Sequence, residues 1–348
     1  MLGTVYDSIV QWIDGHIDLA FLTQKGRNVL DPCEDPQVAC ISIPDLEKSS
    51  INTFFGTIYT SPDDPFAGYG SSDDREAAFE VGSRQLNQYI DLEKRGCITM
   101  QHSGCTVSAA LSMLLLMEGA DPIRHPEDVL WWKDQGLRIV GLTWATGTRY
   151  AGGNNSGGPL TIEGKELVAA LDQAGIVHDV SHLSDTALDD LFACATGQMI
   201  ASHSNSRTVL CSDSQRHLRD DQAIELLQRG GVIGLNLCNQ FLSRDFMTNN
   251  HRASIHDCVL HVLHFCDLAG NRRQVALGSD FDGGFTPQFL PDGLKHPNQL
   301  HHLVEALVTA GFDDDDIASF THGAWMTVLR SEERRAGKEC RSRWSSYH

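Results

Sequence analysis

Ile13-Asp-Gly-His-Ile-Asp-Leu19 is a short apolar segment carrying His16 and Asp18, and it opens a series. Seven more segments of its length and character follow, at 51–59, 113–118, 137–144, 176–182, 198–203, 232–238 and 274–280. Amphipathic stretches at 75–95, 162–174, 186–195, 220–229 and 255–268 alternate with them. Short apolar segments alternating with helix-period segments predict βα units and a parallel sheet. Eight units in one chain predict a (β/α)8 TIM barrel. Thr161 and Ser184 stand where helix N-caps are expected, and Gly175 and Gly230 where left-handed closing residues are. No glycine-rich dinucleotide fingerprint follows the first segment, which disfavours an oxidoreductase of the Rossmann type.

The 348 residues include 46 acidic and 27 basic side chains, for a formal net charge of −19. Nucleic-acid binding draws its affinity from clustered Lys and Arg, so no nucleic-acid partner is expected. At 41% hydrophobic the chain can bury a full core. No run approaches the roughly 20 apolar residues of a membrane helix, and the first residues lack a secretory signal pattern. The ten cysteines include no C-x-x-C pair. They read as reduced thiols, which predicts a cytoplasmic protein without a membrane partner.

The polar residues able to bind a metal fall at the C-terminal ends of the predicted strands. His16 and Asp18 are two apart, so on a strand both would face one side. Glu118 ends the apolar run 111–117, where a carboxylate is costly unless paired or metal-bound. His182 and His203 end the fifth and sixth segments, and Asp280 the eighth. Singly, such a histidine more often makes a structural hydrogen bond, and Asp280 and Asp282 could simply close a turn before Gly283. Five segments bringing His, Asp or Glu to one rim is not expected of independent structural roles. Two histidines with carboxylates suit Zn2+ or a similar ion. One shared carboxylate would hold two ions about 3.5–4 Å apart and generate a hydroxide nucleophile near neutral pH. The glycine-rich loop 152–159 follows the fourth segment, on the side where barrel active sites lie.

The motifs Asp14-Gly-His-Ile-Asp-Leu19, Met117-Glu-Gly119, Leu142-Thr143, Asp179-Val-Ser-His182, Ala201-Ser-His-Ser-Asn205, Arg216-His-Leu-Arg-Asp220 and Gly278-Ser-Asp-Phe-Asp-Gly283 occur in this order between about residue 12 and 330. Together they resemble the membrane (renal) dipeptidase family, peptidase family M19, among the amidohydrolase-like barrels. The resemblance implies a zinc-dependent dipeptidase with two Zn2+ per chain bridged by Glu118. His16 and Asp18 would hold one ion and His182 and His203 the other. Asp280 would be the catalytic acid/base beside Glu118, and Arg216 would pair with the substrate carboxylate. A surface arginine bonded to Asp220 or Asp221 is the plainer reading of Arg216. The resemblance also implies L,D-dipeptides as candidate substrates and a homodimer as a candidate assembly.

Two positions depart from the family pattern. Trp144 stands where some members carry a substrate-contacting histidine, so it counts as a substrate-binding residue of altered role. The segment Gly323-Ala-Trp-Met-Thr-Val-Leu329 replaces the usual final motif. Trp144 motivates the alternative substrates, namely another amide, a lactam or an N-acyl amino acid. A non-catalytic barrel is the reading from a different class. His178, His102, His301 and His302, the acidic run 313–316 and Trp131-Trp132 read as structural. One barrel domain is expected over 1–330, with 331–348 a non-native or disordered tail.

Overall fold

The computed structural model describes residues 11–102, 111–244, 246 and 252–329, so the expected tail lies outside the described residues. Nine strands form one parallel sheet: β1 Trp12–Ile17, β2 Ile51–Tyr59, β3 Thr99–Met100, β4 Ser112–Glu118, β5 Leu137–Gly141, β6 Val177–Asp179, β7 Met199–Ile200, β8 Ile233–Leu235 and β9 Val275–Leu277. Their order is β7-β6-β5-β4-β2-β1-β9-β8, and a parallel bridge from Ala201 to Ile233 joins the two edges into a barrel. The short β3 is not evident in the sequence. It pairs with the first residues of β4, before β5 takes over that edge at Leu115.

The helices follow the sequence periodicity closely, at Arg75–Lys94, Ile162–Ala174, Asp185–Cys194, Asp220–Gln228 and Ile255–Ala269. Thr161 and Ser184 cap their helices through the amides of Gly164 and Ala187. Gly175 closes the first of these at φ 70°, and Gly230 is left-handed at φ 79°. A strand buried on both sides needs apolar residues facing both ways. Accordingly, Ile13, Phe55, Leu114, Ile139, Val177 and Ile200 fill the barrel interior, while another set packs outward under the helices.

The divergent C-terminal segment has a structural use. A π-helical turn at Ser319–Gly323 leads into a helical segment at 324–329. Trp325 is fully buried with the interior residues, its ring 5.1 Å from that of Phe55 and its indole N–H 2.9 Å from the Leu277 carbonyl. A Cβ on Gly15 would lie 2.6 Å from this ring, so the glycine in Asp14-Gly-His16 makes room for the tryptophan.

The strands end earlier than their apolar runs suggest. β6 ends at Asp179, β7 at Ile200 and β9 at Leu277, so His182, His203 and Asp280 lie in the turns beyond. His182 and Asp280 are left-handed, at φ 67° and 60°. Strand alternation also fails for Asp18, which begins the Leu19–Gln24 helix after an irregular pairing between Asp14 and Ile17. The turn, rather than the pleat, carries its carboxylate to the side occupied by His16.

Candidate metal centre

The barrel's C-terminal mouth holds a cavity of about 410 Å3, lined by His16, Asp18, Glu118, His182, His203 and Asp280 among others. All six are buried. Glu118 divides them. Its Oε2 lies 3.7 Å from Nε2 of His16, which is itself 3.6 Å from Oδ1 of Asp18. Its Oε1 lies 3.2 Å from Nε2 of His182 and 3.4 Å from Nε2 of His203. The groups His16–Asp18–Glu118 and Glu118–His182–His203 each bring three ligand atoms within 4.8 Å of one another, with Glu118 common to both. Asp280 forms a third such group with His16 and His203.

The hydrogen bonds around the histidines establish what these atoms can do. Asn154, in the glycine-rich loop, places Oδ1 2.9 Å from Nδ1 of His182, so that nitrogen carries the proton. Ser202 Oγ donates to Asp179 and therefore accepts from Nδ1 of His203 at 2.7 Å. In both rings the bare lone pair is then on Nε2, and the two Nε2 atoms face each other at 3.0 Å. Glu118 Oε1 beside them is buried without a hydrogen-bond partner. Lone pairs and a carboxylate converging in a buried space are electrostatically unfavourable without a cation between them. The donor set fits a pair of divalent ions sharing Glu118.

The titration behaviour reflects this crowding. Burial, with repulsion from Asp18 and Asp280, pushes Glu118 up to about 8 despite the opposing His16. Burial likewise raises Asp280 to about 7, with Asp18 adding to the rise and His16 and Arg216 opposing it. Burial alone would lower His16, but Glu118 and Asp18 outweigh it and bring the ring to about 10. Burial, then nearby Arg216 and His16, holds both His182 and His203 well below the usual range. Glu118, Asp280 and His16 are therefore drawn toward their protonated forms, while His182 and His203 stay neutral with their Nε2 lone pairs bare.

Several supporting residues escaped the sequence reading. Asp14 Oδ1 accepts from the amides of His16 and Ser279 at 3.1 and 2.9 Å, linking β1 to the turn that carries Asp280. Asp179 Oδ1 accepts from the amides of Ser181 and Ser202. Asn236 donates to Oδ2 of Asp280 at 2.9 Å. Asp282, left-handed at φ 58°, accepts from Arg27 and from the amides of Cys40 and Ile41. Their signal in the sequence is weak: Asp14 and Asp282 stand two positions from His16 and Asp280 and Asp179 three from His182, while Asn236 stands near no site residue.

Arg216 is buried, donating to the His203 carbonyl at 2.8 Å and to Ser204 Oγ at 3.3 Å, with its Nε unpartnered. It lines the cavity, and the arginine paired with Asp221 is Arg219. Trp144 also lines the cavity, 5.9 Å from the His182 ring and 5.3 Å from that of Tyr59. His178 bonds Asp172 at 2.7 Å, a structural role. His102 lies away from the cavity, against Gly136. Among the described residues the eight cysteines are all free, and no helix is long and apolar enough to cross a membrane.

Comparison with known proteins gives a consistent result. The profile of the membrane dipeptidase family, peptidase family M19, matches residues 7–342. Dipeptidase aclJ of Aspergillus oryzae is 27% identical over 342 residues, covering 93% of this chain and 78% of that protein. A metallopeptidase from Rhodobacter sphaeroides, solved with a phosphinate mimic of the dipeptide L-Ala-D-Ala, superposes with a TM-score of 0.80 at 23% identity, covering 92% of this chain and 99% of the other. The structure of dipeptidase AC, from the same peptidase family, has a TM-score of 0.79 at 24% identity, with 92% and 98% covered.

Proposed function

We propose, from the premise that this chain belongs to the membrane dipeptidase family of peptide-bond hydrolases, that it cleaves dipeptides at two zinc ions bridged by Glu118. The observation carrying this reading is the division of labour at Glu118, one oxygen toward His16 and the other toward His182 and His203. His16 and Asp18 would hold one ion, and His182 and His203 the other. Ions so held supply Lewis acidity and a water deprotonated near neutral pH.

The chain's own residues supply the rest. Asn236 fixes Oδ2 of Asp280, leaving Oδ1 as the oxygen that takes a proton and returns it to the leaving amine. A Cβ on Gly283 would fall 1.7 Å from that Oδ1, so the glycine keeps its space open. Arg216, with Nε unpartnered, suits the C-terminal carboxylate of a dipeptide. Trp144 and Tyr59 form an apolar wall beside His182 that excludes water from the reacting bond.

L,D-dipeptides are included in the proposal, a phosphinate mimic of L-Ala-D-Ala being bound by the Rhodobacter protein. Trp144 supports a second reading, hydrolysis of another amide, a lactam or an N-acyl amino acid at the same centre. The free thiols fit a cytoplasmic setting, and the continuous core fits a single domain over 1–330. Amino-acid release from matched L,L- and L,D-dipeptides, by zinc-loaded protein and by Glu118→Ala, tests the proposal. Zinc-dependent cleavage lost in the variant supports it. Full activity in Glu118→Ala overturns the site assignment, and zinc-loaded protein that cleaves only N-acyl amino acids or lactams establishes the second reading.

A further inference from the structure

Among the described residues the cavity is lined by one buried and one exposed basic side chain besides its histidines, and the proposed reaction uses only the buried Arg216. The other, Lys25, follows the Leu19–Gln24 helix at the cavity mouth and is exposed. Its Nζ lies 5.5 Å from the centroid of the Phe21 ring, and among the described residues it has neither a hydrogen bond nor an ion pair. Asp64, on the same rim, is held by its Oδ1 accepting from the amides of Phe66 and Ala67 at 2.8 Å and its Oδ2 accepting from the Tyr59 hydroxyl at 3.5 Å. The mouth therefore offers an ammonium with no hydrogen bond or ion pair of its own, its charge felt by Asp18, and a carboxylate already engaged by its own turn and by Tyr59.

A continuous row of rings connects this ammonium to the metal centre. Phe21 packs on Tyr59 at 4.9 Å, Tyr59 on Trp144 at 5.3 Å, and Trp144 lies 5.9 Å from His182. A side chain lying along that wall has apolar contact for its stem and a positive charge at its end. Arg216 is placed differently, against His203, Ser204 and Phe241. With the C-terminal carboxylate at Arg216, the wall leading to Lys25 serves the residue on the other side of the scissile bond. A chain of net charge −19 repels anionic substrates at a distance, so a free cation at the entrance has a distinct use.

We propose that Lys25 forms an anion subsite selecting dipeptides whose N-terminal residue carries an acidic side chain. This rests on the dipeptidase reading and on Arg216 as the carboxylate site. The test compares kcat/KM for Glu-Ala against Gln-Ala, which match in shape and differ in charge, using the zinc-loaded protein and its Lys25→Met and Lys25→Glu variants. The wild type should favour Glu-Ala by about three- to five-fold at low salt, the scale of an exposed ion pair, with the preference fading as salt is added. Lys25→Met should bring the ratio to about one, and Lys25→Glu should invert it. A ratio unmoved by both substitutions overturns the inference and leaves the dipeptidase reading intact. A Lys25-dependent preference seen only with Ala-Glu over Ala-Gln overturns the N-terminal assignment. Absence of cleavage of every dipeptide by folded, zinc-loaded protein overturns the dipeptidase reading, and the inference with it.

Discussion

Asn154 reaches across 28 residues of chain to place its Oδ1 2.9 Å from Nδ1 of His182. The contact makes the glycine-rich loop part of the metal centre, because it determines which nitrogen of His182 faces Glu118. Removing such an orienting partner typically costs about 10–100-fold in metal affinity. Asn154→Ala should weaken metal binding by that factor without unfolding the barrel, as competition with a chelator would measure. Asp179→Asn, acting through Ser202 on His203, should do the same. Wild-type affinity in both variants would remove these residues from the site.

Arg216→Lys should raise KM for dipeptides by about 10-fold or more, because an ammonium cannot reproduce the planar fork that meets a carboxylate. Steady-state kinetics on dipeptides and their C-terminal amides check this. The amides should lose little further in the variant, since they never used the contact.

Metal uptake should depend on pH with a defined sign. Without a cation, Glu118 is held at about 8 and Asp280 at about 7, both chiefly by burial. Protons compete with the ion for these oxygens, so affinity should rise with pH across that window and loading should release protons. Metal-free stability runs the opposite way. An acid raised by folding contributes stability that is complete below its unfolded value, about 4, and is lost as pH rises through its folded value. Through these two acids the thermal midpoint of chelated protein should therefore carry a falling contribution between about pH 4 and 8, which loaded protein should lack. Calorimetry in buffers of different ionisation enthalpy and melting curves read both effects, and a pH-independent affinity would contradict the assignment.

Trp325→Ala should destabilise the fold by about 3–5 kcal/mol, the usual cost of emptying a fully buried tryptophan site. Denaturant titration measures this. A change under about 1 kcal/mol would mean the ring contributes little to the barrel interior.

The sequence makes the barrel and the centre's members legible for a local reason. Each of Glu118, His182, His203 and Asp280 ends one of the short apolar segments and His16 lies within the first, and a charge there conflicts with burial unless something binds it. The helices are equally readable, since Thr161, Ser184 and Gly175 act through neighbours within a few residues. The supporting residues are not readable in this way. Asn154 to His182 and Asn236 to Asp280 are contacts between distant segments, created by the turns that follow the strands. The turns also account for Asp18, whose position depends on the strand stopping at Ile17 rather than on alternation. The short β3 has only two residues, too few to leave a periodic signal.

The Trp325 ring, seated among the interior side chains, gives the barrel a solid base beneath the metal centre. Among the described residues the reaction vessel is thereby closed at that end, and traffic enters and leaves by the mouth. Both amino acids released by a turnover must leave past the mouth that admits the next dipeptide. Product would then queue against substrate, and accumulated amino acid should slow the enzyme competitively, most strongly when it still fits the subsite it has just vacated.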